Sequence, residues 1–260
     1  MFKHLMISAG AVLAAGAANA ADFDYPPAIE SPVYQPVSMV TGHVEIMGGI
    51  VTYEGNTFGA VQGAGRASTP LGSLLKLELE VTGGSLFDNG ESSNSFAGIA
   101  HVYGEGPNHA LGIFGGYVSL FGYSGATIGA EGLYSFGSSV LWGQLAYVSN
   151  ESLDGLVQVR GGLHHYFGMD TRGTIDLQYV TSPSFDSAWS ATGSVEHRFT
   201  GTPWSLFGSL GVSGAANTDM RPVTAMVGAR LFVDQPGSTL ASHDKAVPWT
   251  VRIPPIPQQN

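Results

Sequence analysis

The chain offers eight histidines and no cysteine in 260 residues. The missing cysteine removes disulfides, thiol catalysis, Cys-ligated zinc and thiolate-held clusters in one step. His164 and His165 are adjacent, a tempting pair for metal binding. In a strand, however, neighbouring side chains point to opposite faces, so the two cannot readily share one ion. His101 and His197 accompany many serines, but no spacing picks out a nucleophile, a base and an acid. The glycine-rich stretch GGYVSLFGYSG (115–125) lacks the Lys-Ser/Thr and the helix start of a phosphate loop. These residues lead us to expect no enzyme activity, no metal and no cofactor.

The informative chemistry lies in charged residues that recur at alternate positions. Residues 71–82 read LGSLLKLELEVT. Leu75, Leu77, Leu79 and Val81 share one face of an extended chain, and Lys76, Glu78, Glu80 and Thr82 share the other. Ile175, Leu177 and Tyr179 likewise oppose Thr174, Asp176 and Gln178. Trp189, Ala191, Gly193, Val195 and Phe199 oppose Ser190, Thr192, Ser194, Glu196 and Arg198. Period-two alternation of this kind marks a two-faced strand. The same scan gives about twelve candidate strands, near 42–53, 58–68, 72–82, 94–104, 109–121, 125–136, 139–149, 154–167, 172–180, 187–199, 203–213 and 222–233.

The flanking segments differ in kind. Residues 1–20 combine Lys3 and His4, a short apolar run and the small-residue site Ala18-Asn19-Ala20. That order reads as a secretory signal peptide cleaved after Ala20. Its apolar run is too short for a bilayer, which takes about 20 residues. Residues 21–41 carry Pro26, Pro27, Pro32 and Pro36, and read as an extended leader. Residues 234–260, with five prolines, read as an extended tail.

Charged residues make up only 12% of the chain, about half the usual share, and the 37 glycines are about double the usual share. A net charge of −10 supplies no basic face for phosphates, so no nucleic-acid partner is expected. An exported chain with alternating strands and no later apolar helix points to a closed antiparallel transmembrane β-barrel, an all-β fold of about twelve strands over 42–233. Most candidate strands reach the 9–11 residues that a tilted strand needs to cross a bilayer.

Three further features favour the membrane over a soluble β-protein. Short inner turns at TPLG (69–72), FGSS (136–139) and TGTP (200–203) alternate with longer outer segments at 83–94, 149–155, 181–187 and 214–222. The short turns near 54–57 and 122–125 depart from that alternation. Aromatic residues gather near strand ends: Tyr53, Phe58, Phe96, Phe121, Tyr123, Tyr147, Tyr179 and Trp189 on the outer rim. Tyr134, Phe136, Tyr166, Phe167, Phe199, Trp204 and Phe232 would form the inner girdle. Mid-strand charge must face the lumen, because on the lipid face it costs about 2–4 kcal/mol near the midplane. The lumen-facing set is then Glu45, Glu78, Glu80, Glu131, Asp176 and Glu196 with Arg66, Lys76, Arg160, Arg198 and Arg230. We expect these to pair across the lumen, with Arg160 between Asp176 and Glu131, and Arg230 meeting Glu45 where the barrel closes. His164 falls on the lumenal face, and His165 and His197 fall on the outer face near the inner rim.

The segments GIFGGYVSLFGYSGATIGAEGLYSFGSSVLWGQLAYV (112–148), AGIAHVYGEG (97–106), WSATGSVEHRFTGTPWSLFG (189–208) and VGARLFV (227–233) resemble the porin-like, largely uncharacterised outer-membrane barrels of Gram-negative bacteria. The resemblance implies an outer-membrane location and no established enzymatic chemistry. Many such barrels end on an aromatic residue that the assembly machinery reads. This chain ends in Gln258-Gln259-Asn260, which places any such signal internally, at Gly228 to Val233. The expected partners are outer-membrane lipid and lipopolysaccharide, the barrel assembly machinery and small solutes. The leading reading is a narrow passive pore or a structural component of the outer membrane. The alternatives are a surface interaction protein using Asp88, Glu91, Glu151, Asp154, Asp186 and Asp219, and a barrel hydrolase.

Overall fold

The computed structural model describes residues 40–88, 91–120, 123–149, 155–183, 185–216, 221–233 and 237–246. The signal peptide, most of the leader and the end of the tail lie outside these residues. Among the described residues, twelve strands follow one another in sequence: β1(Thr41–Tyr53), β2(Asn56–Leu71), β3(Leu75–Asp88), β4(Glu91–Glu105), β5(His109–Leu120), β6(Tyr123–Phe136), β7(Ser139–Val148), β8(Leu156–Gly168), β9(Thr171–Ser182), β10(Phe185–Arg198), β11(Trp204–Ala215) and β12(Val223–Val233). Each strand pairs with the next, and β12 pairs with β1 to close the barrel. All pairings are antiparallel. Closure leaves no unpaired strand edge, which a bilayer interior does not tolerate.

Alternation decides which face goes where. Val44, Ile46, Leu79, Val81, Leu111, Ile113, Ile128, Leu145, Ile175, Leu177 and Val227 all point outward and are exposed. Their strand neighbours at the other parity are buried and largely polar or charged. A water-soluble protein hides its apolar face, whereas this barrel displays it in a continuous band, as contact with lipid requires.

The expected contrast between short inner and long outer connections holds at only two places. Seven positions each, 149–155 and 216–222, separate β7 from β8 and β11 from β12, but β3 and β4 extend through most of 83–94 and leave only 89–90 between them. Likewise β9 and β10 take up most of 181–187, with a register shift between Phe185 and Ala188. Cross-strand pairing satisfies the backbone there, so a polar composition alone did not make those segments loops. The tight β1–β2 connection has its own cause. Glu54 and Gly55 both take positive φ, 47° and 84°. That is the geometry of a two-residue hairpin whose twist matches the strands.

The aromatic girdles also need correction. Phe96, Tyr147, Tyr179 and Trp189 are exposed toward one rim, and Tyr134, Phe136, Phe167, Phe199 and Trp204 toward the other. Tyr166 and Phe232, expected in the inner girdle, instead turn into the barrel and are buried. Their burial has a partner that proline content concealed. Within the expected extended tail, residues Leu240–Ala246 form a helix, α1. Leu240 and Ala241 pack against Tyr166 and Phe232 at the inner end of the lumen.

Candidate functional site in the barrel lumen

Two ionic clusters sit toward the inner end of the lumen. The first spans β2 to β7. Arg66 on β2 contacts Glu80 and lies 3.3 Å from Glu78, both on β3. His101 on β4 stands directly opposite Glu78 in the register. Its Nδ1 is 2.8 Å from Glu131 on β6, and the Gln144 amide on β7 donates to the other oxygen of Glu131 at 2.8 Å. Glu78 and His101 are fully buried. Neither Glu78 oxygen and no group at His101 Nε2 completes a hydrogen bond.

The second cluster spans β8 to β12 and β1. Arg230 donates to Glu45 across the closing seam at 2.6 Å, and to Glu196 at 2.9 Å. Arg172 donates to Glu196 at 2.6 Å and also contacts Asp244 of α1. Ser205 donates to the second Glu196 oxygen at 2.6 Å. Arg198 stacks over the Phe232 ring at 4.4 Å and donates to the Thr202 carbonyl. Nearer mid-height, Arg160 grips both oxygens of Asp176, with contacts of 2.7–3.1 Å.

The register explains which expected partners meet. Glu45 and Arg230 are directly opposed on β1 and β12. Arg160 reaches Asp176 diagonally, because Asp176 faces Gly162, which carries no side chain to block it. Glu131 does not reach Arg160. Gln144 stands between them, opposite both, and takes the Glu131 carboxylate itself. Lys76 is half-withdrawn toward the rim, where it donates to Glu105 at 2.9 Å.

His164 faces the lumen, where its ring stacks on Trp142, and His165 and His197 face outward. The acidic outer-loop set lies mostly outside the described residues, including Glu151, Asp154 and Asp219. The side chains of Asp88, Glu91 and Asp186 are outside them too.

Several lumenal residues were missed. Arg172 shares the parity of Thr174, Asp176 and Gln178, so the alternation already placed it inward; its position at the strand start hid it. His43 shares the parity of Glu45 in the same way. His243 and Asp244 had no such signal, because they belong to a helix outside the barrel pattern. His43 Nδ1 lies 3.0 Å from His243 Nε2, and Tyr166 donates to Asp244 at 2.7 Å. The Leu240 and Ala241 amides donate to Asp170 and to the Met169 carbonyl. Helix α1 is therefore bolted to β1, β8 and β9 across the inner mouth. Burial raises the Asp244 carboxyl, but the Arg172 guanidinium outweighs it, so the group sits below the usual carboxylate range.

Above this closure, about 930 Å³ of unfilled space, counting what opens to solvent, lies along the β8–β12 wall. Ser190, Thr192, Ser194, Ser209, Ser213 and Thr224 line it, with Arg160, Asp176 and Trp142. The opposite upper wall is closed by Ala97, Ile99, Phe114 and Ala146 packed on one another.

No protein-family model matches the chain, and no curated protein matches it. Solved structures share its fold. An outer-membrane channel from Pseudomonas putida F1 aligns with a TM-score of 0.55 at 14% identity, covering 81% of this chain and 100% of that one. The NanC porin aligns at 0.56 with 8% identity, over 72% and 98% of the two chains. The KdgM porin aligns at 0.53 with 9% identity, over 73% and 99%.

Proposed function

We propose that the chain is an outer-membrane barrel that passes small solutes passively through a narrow lumen, with α1 closing its inner mouth. The observation that carries this reading is the inversion of the barrel: an exposed apolar band outside, and inside a charged lumen that leaves a hydroxyl-lined space along its β8–β12 wall. A purely structural barrel has no need of a hydroxyl-lined space. The solved barrels that share the fold bear the names of channels and porins, which supports the same reading. Under it, the signal peptide directs export, the assembly machinery inserts the barrel, and lipid and lipopolysaccharide surround it. The reading assigns the protein no catalysis.

Conductance of the full chain, refolded and inserted in planar bilayers, tests this. Small, ohmic steps are expected, limited by α1 and by the ionic clusters. Folded, inserted protein that leaves the bilayer silent over a wide range of voltage and solute overturns passage and leaves the structural role.

A further inference from the structure

The β2–β7 cluster holds an imbalance that its neighbour does not. Three buried carboxylates, Glu78, Glu80 and Glu131, face one guanidinium, Arg66. Lys76 is already committed to Glu105 at the rim. With all three carboxylates ionised and His101 neutral, the cluster would be two negative charges in excess, in a place where buried charge needs compensation.

The orientation of His101 shows where the compensation goes. Its Nδ1 stands 2.8 Å from Glu131, which is fixed in turn by Gln144. The ionised carboxylate can only accept, so Nδ1 carries the proton and donates it. Nε2 of the neutral ring is then a lone pair. It lies 3.9 Å from the Glu80 carboxylate, too far for a hydrogen bond, and makes none elsewhere. Lone pair against carboxylate is repulsive unless something positive lies in the gap. Glu78, also without a hydrogen bond, lines the same gap. One donor atom from each of Glu78, Glu80 and His101 falls within 4.8 Å of the others.

The geometry points to a divalent cation of the zinc type, held by Glu78, Glu80 and His101 Nε2. Histidine and carboxylate oxygens are standard zinc ligands at about 2.0–2.2 Å. A tetrahedral ion holds its ligand atoms about 3.4 Å apart, so the three side chains must draw in by roughly 1 Å. Glu131 takes the supporting role, since a metal-bound histidine donates its other ring N–H to a carboxylate that sets its tautomer and orientation. Two positive charges close the balance that Arg66 leaves open. Arg66 is the competitor for Glu80, and it stays in place as the second cation of the cluster. The site lies in the wall of the lumen and stands whether or not the barrel conducts.

The test uses the full chain, refolded in detergent, stripped with a chelator and titrated with zinc chloride by calorimetry. One ion per barrel is expected. His101→Gln and Glu78→Gln should each weaken binding at least tenfold, and Asp176→Asn should bind as the wild type does. Binding that both cluster substitutions leave unchanged would assign the ion to exposed histidines such as His165 and His197, and the proposal fails. Absence of binding also overturns the proposal. Should either variant not fold, the wild type alone decides: zinc that binds only the folded barrel raises its melting temperature, saturating magnesium does not, and an unmoved midpoint in zinc overturns the site.

Discussion

The two sides of the lumen handle buried charge in opposite ways. On the β8–β12 and β1 side, Glu45, Glu196 and Asp244 meet Arg172 and Arg230, and every one of these carboxylates has a guanidinium partner, with Arg198 close by over the Phe232 ring. On the β2–β7 side, Glu78 and Glu80 share Arg66, Glu131 has only His101 and Gln144, and Glu78 is left without a hydrogen bond. The balanced side fastens the closing seam and α1. The acid-rich side fastens nothing across a seam and is poised to accept positive charge. The two walls of the lumen therefore divide the labour between them.

The strongest way to break this contrast is to remove one charge from each side. Arg230→Met leaves Glu45 and Glu196 buried beside a lost guanidinium, and breaking a buried pair costs about 3–5 kcal/mol. Glu78→Gln removes surplus negative charge instead, and the metal-free barrel should lose little stability or gain some. Urea unfolding of both variants in lipid vesicles checks the pair. Equal losses would mean that the two walls are not different in kind.

A second contrast runs across one strand. Leu177 is 56% exposed on the lipid side, and Gln178 beside it is 8% exposed on the lumen side. Leu177→Arg should cost about 2–4 kcal/mol, the usual penalty for charge near the midplane. Gln178→Arg should cost much less, because its side chain enters the unfilled space, where Asp176 is near, and not lipid. Refolding yields in bilayers measure it, and equal yields would invert the face assignment.

A smaller effect concerns α1, which only the balanced wall holds. The folded carboxyl of Asp244 is depressed, so it adds stability above the unfolded carboxylate value, about 3.9, and loses it as pH falls through the folded value. Acidification through that depressed folded value should therefore free α1 from Arg172 and raise conductance, with no such change near neutral pH. Asp244→Asn should conduct at pH 7 as the acidified wild type does, and lose the acid response. An Asp244→Asn conductance equal to that of the wild type at pH 7 would detach α1 from the gate.

How much of this was legible in the sequence depends on what carried the signal. Strict alternation made the strands, the closure and the inward faces readable, because one register fixes every side chain of a strand. The same rule placed Glu45 against Arg230. It could not show that Gln144 would intercept Glu131, since partner choice depends on which residues stand opposite one another across three strands. Tyr166 and Phe232 looked like girdle residues because aromatic position was read without parity. Helix α1 was hidden by the prolines around it, and its hold on the barrel comes from tertiary contacts to Asp170, Arg172 and Tyr166 that no local pattern encodes.

The subtlest contrast separates fastening from lining. Arg160 and Asp176 form a complete ion pair, yet the pair holds neither the seam nor α1 and borders the unfilled space. Its Asp176 side chain keeps some contact with water, so losing Arg160 leaves a partly solvated carboxylate and not a sealed one. Arg160→Ala should therefore barely change stability, in contrast to Arg230→Met. It should change what passes. Removing the guanidinium widens the space beside Trp142, over whose ring Arg160 lies at 5.2 Å, and leaves Asp176 as the local charge. Conductance should rise modestly, and the reversal potential in asymmetric salt should shift toward cations. If both stay at wild-type values while the barrel remains folded, Arg160 is solvated wall and the path of ions runs elsewhere in the lumen.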